Sequence, residues 1–220
     1  MTTPVAPRTS VVGAGVTLGL AVGVIGVSFG VGAVAAGASV WQTCAMSLLV
    51  FTGASQLSAV SVIAAGGSLG AALGGAVLLA ARNGVYGLAM SGVLGGSLAR
   101  RLVAAQITID ESTAMAAAQG EPAQAERAFW ITGGSVYVFW NLGTLIGALA
   151  GSEIDPQRFG LDAAFPAAFV GTLMPLLSRR RDRWAAGLGA AICLVTLPVL
   201  PVGLPILVSA TAVLVGVRRP

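Results

Sequence analysis

Residues 76–87 read AVLLAARNGVYG, and Arg82 within them is the only charged residue between Arg8 and Arg100. The sequence around it consists mostly of Val, Leu, Ala, Gly and Ile. A charged side chain at the centre of a bilayer costs at least about 3 kcal/mol, and it usually marks an internal cavity or path. The stretch therefore predicts a membrane-embedded protein that holds one cation at depth.

The composition supports an all-α polytopic membrane protein. Hydrophobic residues make up 56% of the chain and charged residues 9%, whereas soluble domains carry about 25% charged residues. The mean hydropathy is +0.90. Apolar runs of about 20 residues recur, which is the length that crosses a bilayer as a helix. No two-residue alternation favours a membrane β-barrel. We expect one transmembrane domain over residues 1–220.

The apolar runs predict about seven spans, some of them broken or short. The last two contain Pro198, Pro201 and Pro205, so a re-entrant hairpin is the alternative there. The spans are expected at about 11–36, 40–65, 68–98, 128–150, 160–178, 184–200 and 203–217.

Arginine placement predicts the orientation, because cytoplasmic loops are enriched in basic residues. Arginines flank a loop at about 99–127, crowd residues 179–183 and end the chain. We expect these sites, including the C-terminus, to be cytoplasmic. Three spans before Arg100 would place the N-terminus outside, which we favour. Two crossings plus one re-entrant segment would place it inside.

Glycines predict how the helices pack. Gly15, Gly19 and Gly23 lie four residues apart, as do two further sets at 66, 70, 74 and at 143, 147, 151. Such spacing leaves a smooth groove for another backbone. A weak similarity between residues 32–53 and 147–171 also suggests two halves in an inverted repeat, as in many transporters.

Two polar clusters lie inside predicted spans. Gly53, Ser55 and Gln56 interrupt the second span, where a broken helix can line a cavity. Gln56 either forms a hydrogen bond between helices or belongs to a binding site. Asn141 is a lone amide in the fourth span, where helix–helix hydrogen bonding is the default.

Arg82, Asn83 and Tyr86 form a third cluster, in the third span. The planar guanidinium of Arg82 suits a carboxylate. Arg82 either lies near a span end and reaches the headgroups or serves an internal site. Asp110 and Glu111 form a fourth cluster, in the central loop. Three alternatives stay open for these two acids. They are exposed to solvent in the loop, they lie at the N-terminal end of a short helix, or they fold back to pair with an intramembrane cation.

The sequence lacks the residues that a catalytic site or a metal site needs. The chain contains no His, so no Cys/His metal site forms, and no acid pair is arranged for acid–base catalysis. We expect neither an enzyme nor a bound cofactor or metal. A secondary transporter is the main interpretation. The alternatives are a channel or transporter for another small solute, and a membrane scaffold that transports nothing.

Five motifs in order resemble the AzlC family over about residues 25–175. A Gly-Ala-Ser-Gln motif matches residues 53–56. Arg82, Tyr86 and Gly87 match the next motif, in which Ala80 replaces an Asn and Asn83 occupies a position that is often His. Further matches are Asp110-Glu111, with Ile109 in place of Thr, then Trp140, Gly143, Thr144 and Gly147, and finally Leu161-Asp162.

The resemblance implies a secondary transporter that exports branched-chain amino acids, and methionine as a further candidate, across the bacterial inner membrane with proton coupling. It also implies a small hydrophobic partner of the AzlD type. The departures at Ala80 and Asn83 leave the substrate open. The expected substrate-binding residues are Gly53, Ser55, Gln56, Arg82, Asn83, Tyr86 and Asn141, and the expected coupling residues are Asp110 and Glu111.

Overall fold

A computed structural model of the chain describes residues 10–151, 170–171 and 173–214. These residues are helical, without strands among them. Most of the predicted fifth span, the acidic turn at Leu161-Asp162, and the two C-terminal arginines lie outside the described residues. The α-helices are α1 Val11–Ala35, α2 Val40–Leu49, α3 Ala54–Ala64, α4 Leu69–Met90, α5 Leu98–Gln106, α6 Asp110–Ala117, α7 Pro122–Ala150, α8 Arg180–Thr196 and α9 Leu204–Ser209, with 3₁₀ turns at Met174–Ser178 and Ala210–Ala212.

Three of the described helices are long and apolar enough to cross a membrane: α1, α4 and α7. The two apolar helices α2 and α3 are each too short to do so. This part of the chain is therefore an all-helical membrane protein with three candidate spanning helices. Seven spans and the inverted repeat stay predictions.

Helices α1 and α7 pack backbone against backbone. A Cβ atom added to Gly143 would lie 2.1 Å from the Gly23 carbonyl oxygen, and one added to Gly147 would lie 2.0 Å from the Val27 oxygen. Both glycine sets therefore lie in this interface: the set at 15, 19 and 23 faces residues 131–139 of α7, and the set at 143, 147 and 151 faces residues 23–34 of α1. The third set is largely open, since Gly66 has no neighbour within 4 Å of its Cβ position.

The contacts also show that α1 and α7 run in the same direction. Gly19 meets Ser135 and Gly30 meets Thr144, so residue numbers rise together along the two helices. The N-terminal ends of α1 and α7 consequently lie at one end of the bundle. The sequence predicts an N-terminus outside the cell and a cytoplasmic segment before α7. Because the two helices start at the same end of the bundle, these two predictions exclude each other.

Helices α2 and α3 form a hairpin. Gln42 near the start of α2 and Ile63 near the end of α3 line one cavity, together with Ala36 at the end of α1. If α2 and α3 continued in one direction, these two residues would lie about 30 Å apart. The stretch 40–65, which the sequence analysis counted as a crossing, therefore enters and leaves at the same end of the bundle.

Helices α5 and α6 form a second hairpin within the stretch 99–127 that the sequence predicts as a loop. It enters from the opposite end, because Ala116 of α6 clusters with Met90 of α4 and Ala125 of α7. Its tip at Ile107–Ile109 is buried. The Gln106 side chain donates a hydrogen bond of 2.8 Å to the Leu48 carbonyl of the first hairpin. The two hairpin tips thus meet inside the bundle.

Before α5 the structure has two candidate spanning helices, α1 and α4, and one helical hairpin. This is the order of segments in the alternative arrangement, in which two crossings and a re-entrant segment place the N-terminus inside. Helix α4 runs against α7, because Met90 packs near Phe129 whereas Arg82 lines a cavity with Trp140. If the arginine-rich segment before α7 is cytoplasmic, as the sequence predicts, the parallel arrangement of α1 and α7 places the N-terminus on the same side. The C-terminal α8 and α9 pack on each other, and Leu207 of α9 lies 3.1 Å from the Cβ position of Gly74.

Replacing Gly147 with alanine should destabilise the protein by about 2 kcal/mol, because the added methyl overlaps the Val27 backbone, which cannot move aside without separating α1 from α7. Thermal unfolding in detergent measures this. Gly134→Ala is the matched control in the same helix, since no atom lies within 4 Å of its Cβ position. A Gly147→Ala protein as stable as the control would contradict the close packing.

Cysteines introduced at Ser10 and Gly120 should react with a membrane-impermeant maleimide from the same side, and one at Ala65 from the opposite side. All three positions are exposed, and they lie before α1, before α7 and between the first hairpin and α4. The background carries Cys44→Ala and Cys193→Ala, and labelling compares intact cells with inside-out vesicles. Labelling of Ser10→Cys and Gly120→Cys from different sides would contradict the parallel arrangement.

Candidate functional site

A cavity lies where the two hairpin tips meet. Its empty volume, including its opening, is ≈ 590 Å³. Its wall combines the tip of the first hairpin, the start of α6, one residue of α4 and apolar side chains of α1 and α7. The lining residues are Val22, Ile25, Phe51, Thr52, Gly53, Ala54, Leu57, Arg82, Ile109, Asp110, Glu111, Val136 and Trp140.

Arg82 and Asp110 form an ion pair at this cavity. The guanidinium Nη1 lies 2.7 Å from the Asp110 Oδ2, and the two side chains are 33% and 27% exposed. Arg82 is about 20 Å along α4 from Leu69 and about 12 Å from Met90. Asp110 is the first residue of α6, where negative charge is favourable. The cation is therefore held inside the bundle by an acid from the second hairpin.

Two further ionisable side chains surround the pair. The Tyr86 hydroxyl lies close enough to Asp110 to interact with its carboxylate. Glu111 also lines the cavity, and burial raises the pKa of its carboxyl above the ordinary value of 4.5. Repulsion from Asp110 raises this pKa further, whereas attraction to Arg82 lowers it. Glu111 is thus an acid that holds its proton at higher pH than an exposed glutamate.

The break in the first hairpin occurs at the predicted position. Gly53 has a φ of +54°, a backbone conformation that a residue with a Cβ rarely adopts. The ring of Trp140 lies 4.0 Å from the Cβ position of Gly53. The chain therefore reverses next to α7, and α3 begins at the cavity wall.

Gln56 and Ser55 lie next to the cavity without lining it. The Gln56 amide donates to the Met46 carbonyl at 3.1 Å and accepts from the Gly53 N–H at 3.2 Å, so it holds the end of α2 to the start of α3. The Ser55 hydroxyl is buried and has no hydrogen-bond partner among the described residues. Their roles in substrate binding stay predictions.

Asn83 and Asn141 also lie outside the cavity wall. Asn141 donates a hydrogen bond of 2.8 Å to the Tyr137 carbonyl within α7, and its side-chain oxygen is buried without a partner. Asn83 is half-buried on α4 beside Arg82. The structure therefore brings together Gly53, Arg82, Tyr86, Asp110 and Glu111 from the predicted set.

Sequence reasoning missed several wall residues. Thr52 is adjacent to the predicted Gly53 and Trp140 is adjacent to the predicted Asn141, so extending those predictions by one residue would have included both. The sequence does not identify Val22 and Ile25 of α1 as cavity residues. An apolar residue in an apolar helix can face lipid, a neighbouring helix or a cavity, and its sequence context is the same in all three cases.

The AzlC protein family model matches residues 17–154, which is more than half of the chain and reaches from α1 to beyond α7. The chain belongs to the AzlC family. The resemblance predicted from the sequence motifs is thereby confirmed. No curated protein and no solved structure matches the chain. AzlC proteins are a transporter family associated with branched-chain amino-acid transport, and the apolar helices fit a membrane protein.

Raising the pH should destabilise this AzlC protein through Glu111. An acid whose pKa is raised in the folded state keeps a proton that the unfolded chain has lost, so its contribution to stability is present below pH 4.5 and disappears as the pH rises through the raised pKa. Thermal unfolding between about pH 5 and pH 8 measures the slope.

Glu111→Gln should reduce this slope, because the amide does not titrate. Glu121→Gln, at an exposed glutamate before α7, is the control and should keep the wild-type slope. An unchanged slope in Glu111→Gln would show that Glu111 is not the group responsible.

Proposed function

We propose that this AzlC protein exports branched-chain amino acids, with methionine as a further substrate, across the inner membrane by a proton-coupled mechanism. The observation that carries the proposal is the Arg82–Asp110 ion pair in the wall of an otherwise largely apolar cavity. A zwitterionic amino acid carries both charges of that pair, so it can replace each partner of the pair with its own carboxylate and ammonium.

The cavity wall supports an apolar side chain on the substrate. Val22, Ile25, Leu57, Ile109 and Val136 line it from α1, α3, α7 and the second hairpin tip. Burying a branched aliphatic side chain against such a wall contributes about 2 kcal/mol. A polar side chain would lose its hydration there without a partner, which favours leucine, isoleucine and valine.

Proton coupling needs an acid that changes protonation during transport. Glu111 lines the cavity next to Asp110, and burial raises its pKa. A substrate ammonium near Glu111 would favour the charged carboxylate, whereas departure of the substrate would favour the protonated form. Substrate and proton then compete for one site, which is the requirement for exchange in opposite directions.

The two hairpins support alternating access. One reaches the cavity from each end of the bundle, and each contributes residues to its wall. Arg82 joins α4 to the second hairpin through Asp110. Substrate binding at this pair would weaken that link, so the second hairpin could move when the site is occupied.

A small hydrophobic partner subunit of the AzlD type is part of the proposal. Helix α4 exposes apolar side chains along most of its length, including Leu73, Val77, Val85 and Leu88. Its glycines at 84 and 87 have no atom within 4 Å of their Cβ positions, so a partner helix could approach closely. Expression with and without such a subunit belongs in the transport test.

Arg82→Gln should reduce leucine efflux at least about tenfold, since it removes a charge-assisted bond to the substrate carboxylate. Proteoliposomes loaded with radiolabelled leucine measure this, with and without an inward proton gradient, which should accelerate wild-type efflux. Arg180→Gln on the exposed start of α8 is the matched control. Wild-type efflux by Arg82→Gln at equal protein content would refute the proposed role of Arg82, and wild-type protein that moves no amino acid would refute the function.

A further inference from the structure

The accessible aliphatic surface of the cavity wall belongs mainly to α1. Val22 and Ile25 of this helix are half-buried, whereas the other branched aliphatic residues of the wall, Leu57, Ile109 and Val136, are 4%, 6% and 1% exposed. Val22 and Ile25 lie three positions apart, on one face of the helix. Among these five residues, a ligand side chain in the cavity therefore meets mainly Val22 and Ile25.

The backbone of α1 beside these two residues packs directly against α7. A Cβ atom added to Gly23 would lie 2.9 Å from the Phe139 carbonyl oxygen, and one added to Gly26 would lie 2.7 Å from the Trp140 carbonyl oxygen. Each glycine directly follows one of the two wall residues, and Trp140 itself lines the cavity. The two helices are thus in backbone contact at the height of the cavity.

The same face of α1 continues into packed core. Phe29, one turn after Ile25, is fully buried and stacks on Trp140 at a ring distance of 5.8 Å. Val22 and Ile25 pack against the hydrophobic cluster that contains both aromatic rings. A larger ligand side chain gains no room here unless α1 separates from α7, which breaks close-packed contacts along both helices.

We infer that Val22 and Ile25 set the upper size limit of the side chain that this AzlC protein accepts. The inference rests on the proposed function and adds the two residues that select among apolar substrates. The Arg82–Asp110 pair binds groups that every amino acid shares, so it cannot make this selection. Because the backbone behind Val22 and Ile25 has no room to recede, the volume of their side chains decides how large a substrate fits.

The test compares the affinities for leucine and phenylalanine, measured on the full chain in lipid nanodiscs by competition with radiolabelled leucine. Val22→Ala and Ile25→Ala each shorten one wall side chain to a methyl group. Each should raise the affinity for phenylalanine relative to leucine about tenfold, because one methylene group in an apolar pocket changes discrimination about 10- to 200-fold. Ile25→Val, which removes a single methyl group, should shift the ratio less and in the same direction.

Matched controls lie on the same helix. Val24→Ala and Leu20→Ala make the same changes in size at positions that are 69% and 51% exposed and do not line the cavity. Both should keep the wild-type ratio of the two affinities. Thermal unfolding of each variant checks that its fold is retained.

The outcomes separate the inference from the function. If the wild type binds leucine, the inference alone is overturned by equal wild-type affinity for phenylalanine, or by an unchanged ratio in both alanine variants. If the alanine variants fail to fold, the wild-type ratio and Ile25→Val decide: a size limit set by this wall requires leucine to bind at least about tenfold more tightly than phenylalanine in the wild type, and the ratio to fall in Ile25→Val. Wild-type protein that binds neither amino acid would overturn the inference and the proposed function together.

Discussion

Backbone groups freed inside a membrane must find partners within the protein, and the structure depends on how the break between α2 and α3 meets this requirement. The Leu48 carbonyl accepts from Gln106 and from the Tyr137 hydroxyl, at 2.8 Å and 3.2 Å. The Gln56 side chain accepts from the Gly53 N–H and donates to the Met46 carbonyl, which also accepts from the Val50 N–H. These bonds tie the first hairpin to the second hairpin and to α7. A reversal of the chain at this depth is stable because side chains from α3, α5 and α7 bind the backbone groups next to the break.

The same contacts position the charged groups. Bringing the second hairpin tip against Leu48 places Asp110 beside Arg82, so the cation in α4 gains a carboxylate partner instead of remaining alone in an apolar helix. The pair keeps some exposure to the cavity, which leaves it able to exchange partners. A fully buried pair would be hard to separate, whereas an exposed pair would contribute little. Intermediate burial suits a site where a ligand competes with an internal ion pair.

Helices α1 and α7 make the closest helix–helix contact of the described residues. Glycines on both helices allow their backbones to touch, and Gly26 and Gly30 extend the contact to Trp140 and Thr144. Trp140 stacks on Phe29 of α1 at a ring distance of 5.8 Å, which fixes one wall of the cavity. The hairpins and α4 supply the other walls with fewer close contacts. The closely packed pair of helices thus forms one wall, and α4 and the second hairpin carry the charged groups of the cavity.

The sequence by itself determined the membrane class, the family, the break at Gly53 and two of the three glycine faces, whereas it left Arg82 open between a span end and an internal site. Each of these follows from composition or from spacing along one helix. The tertiary structure decided the direction of the chain after the break, the partner of Arg82 and the contribution of Val22 and Ile25 to the cavity. A glycine with positive φ permits several directions for the next helix, and long-range hydrogen bonds such as Gln106 to Leu48 select one. Arg82 and Asp110, 28 positions apart, meet because the second hairpin folds back into the bundle, and no local pattern encodes that contact.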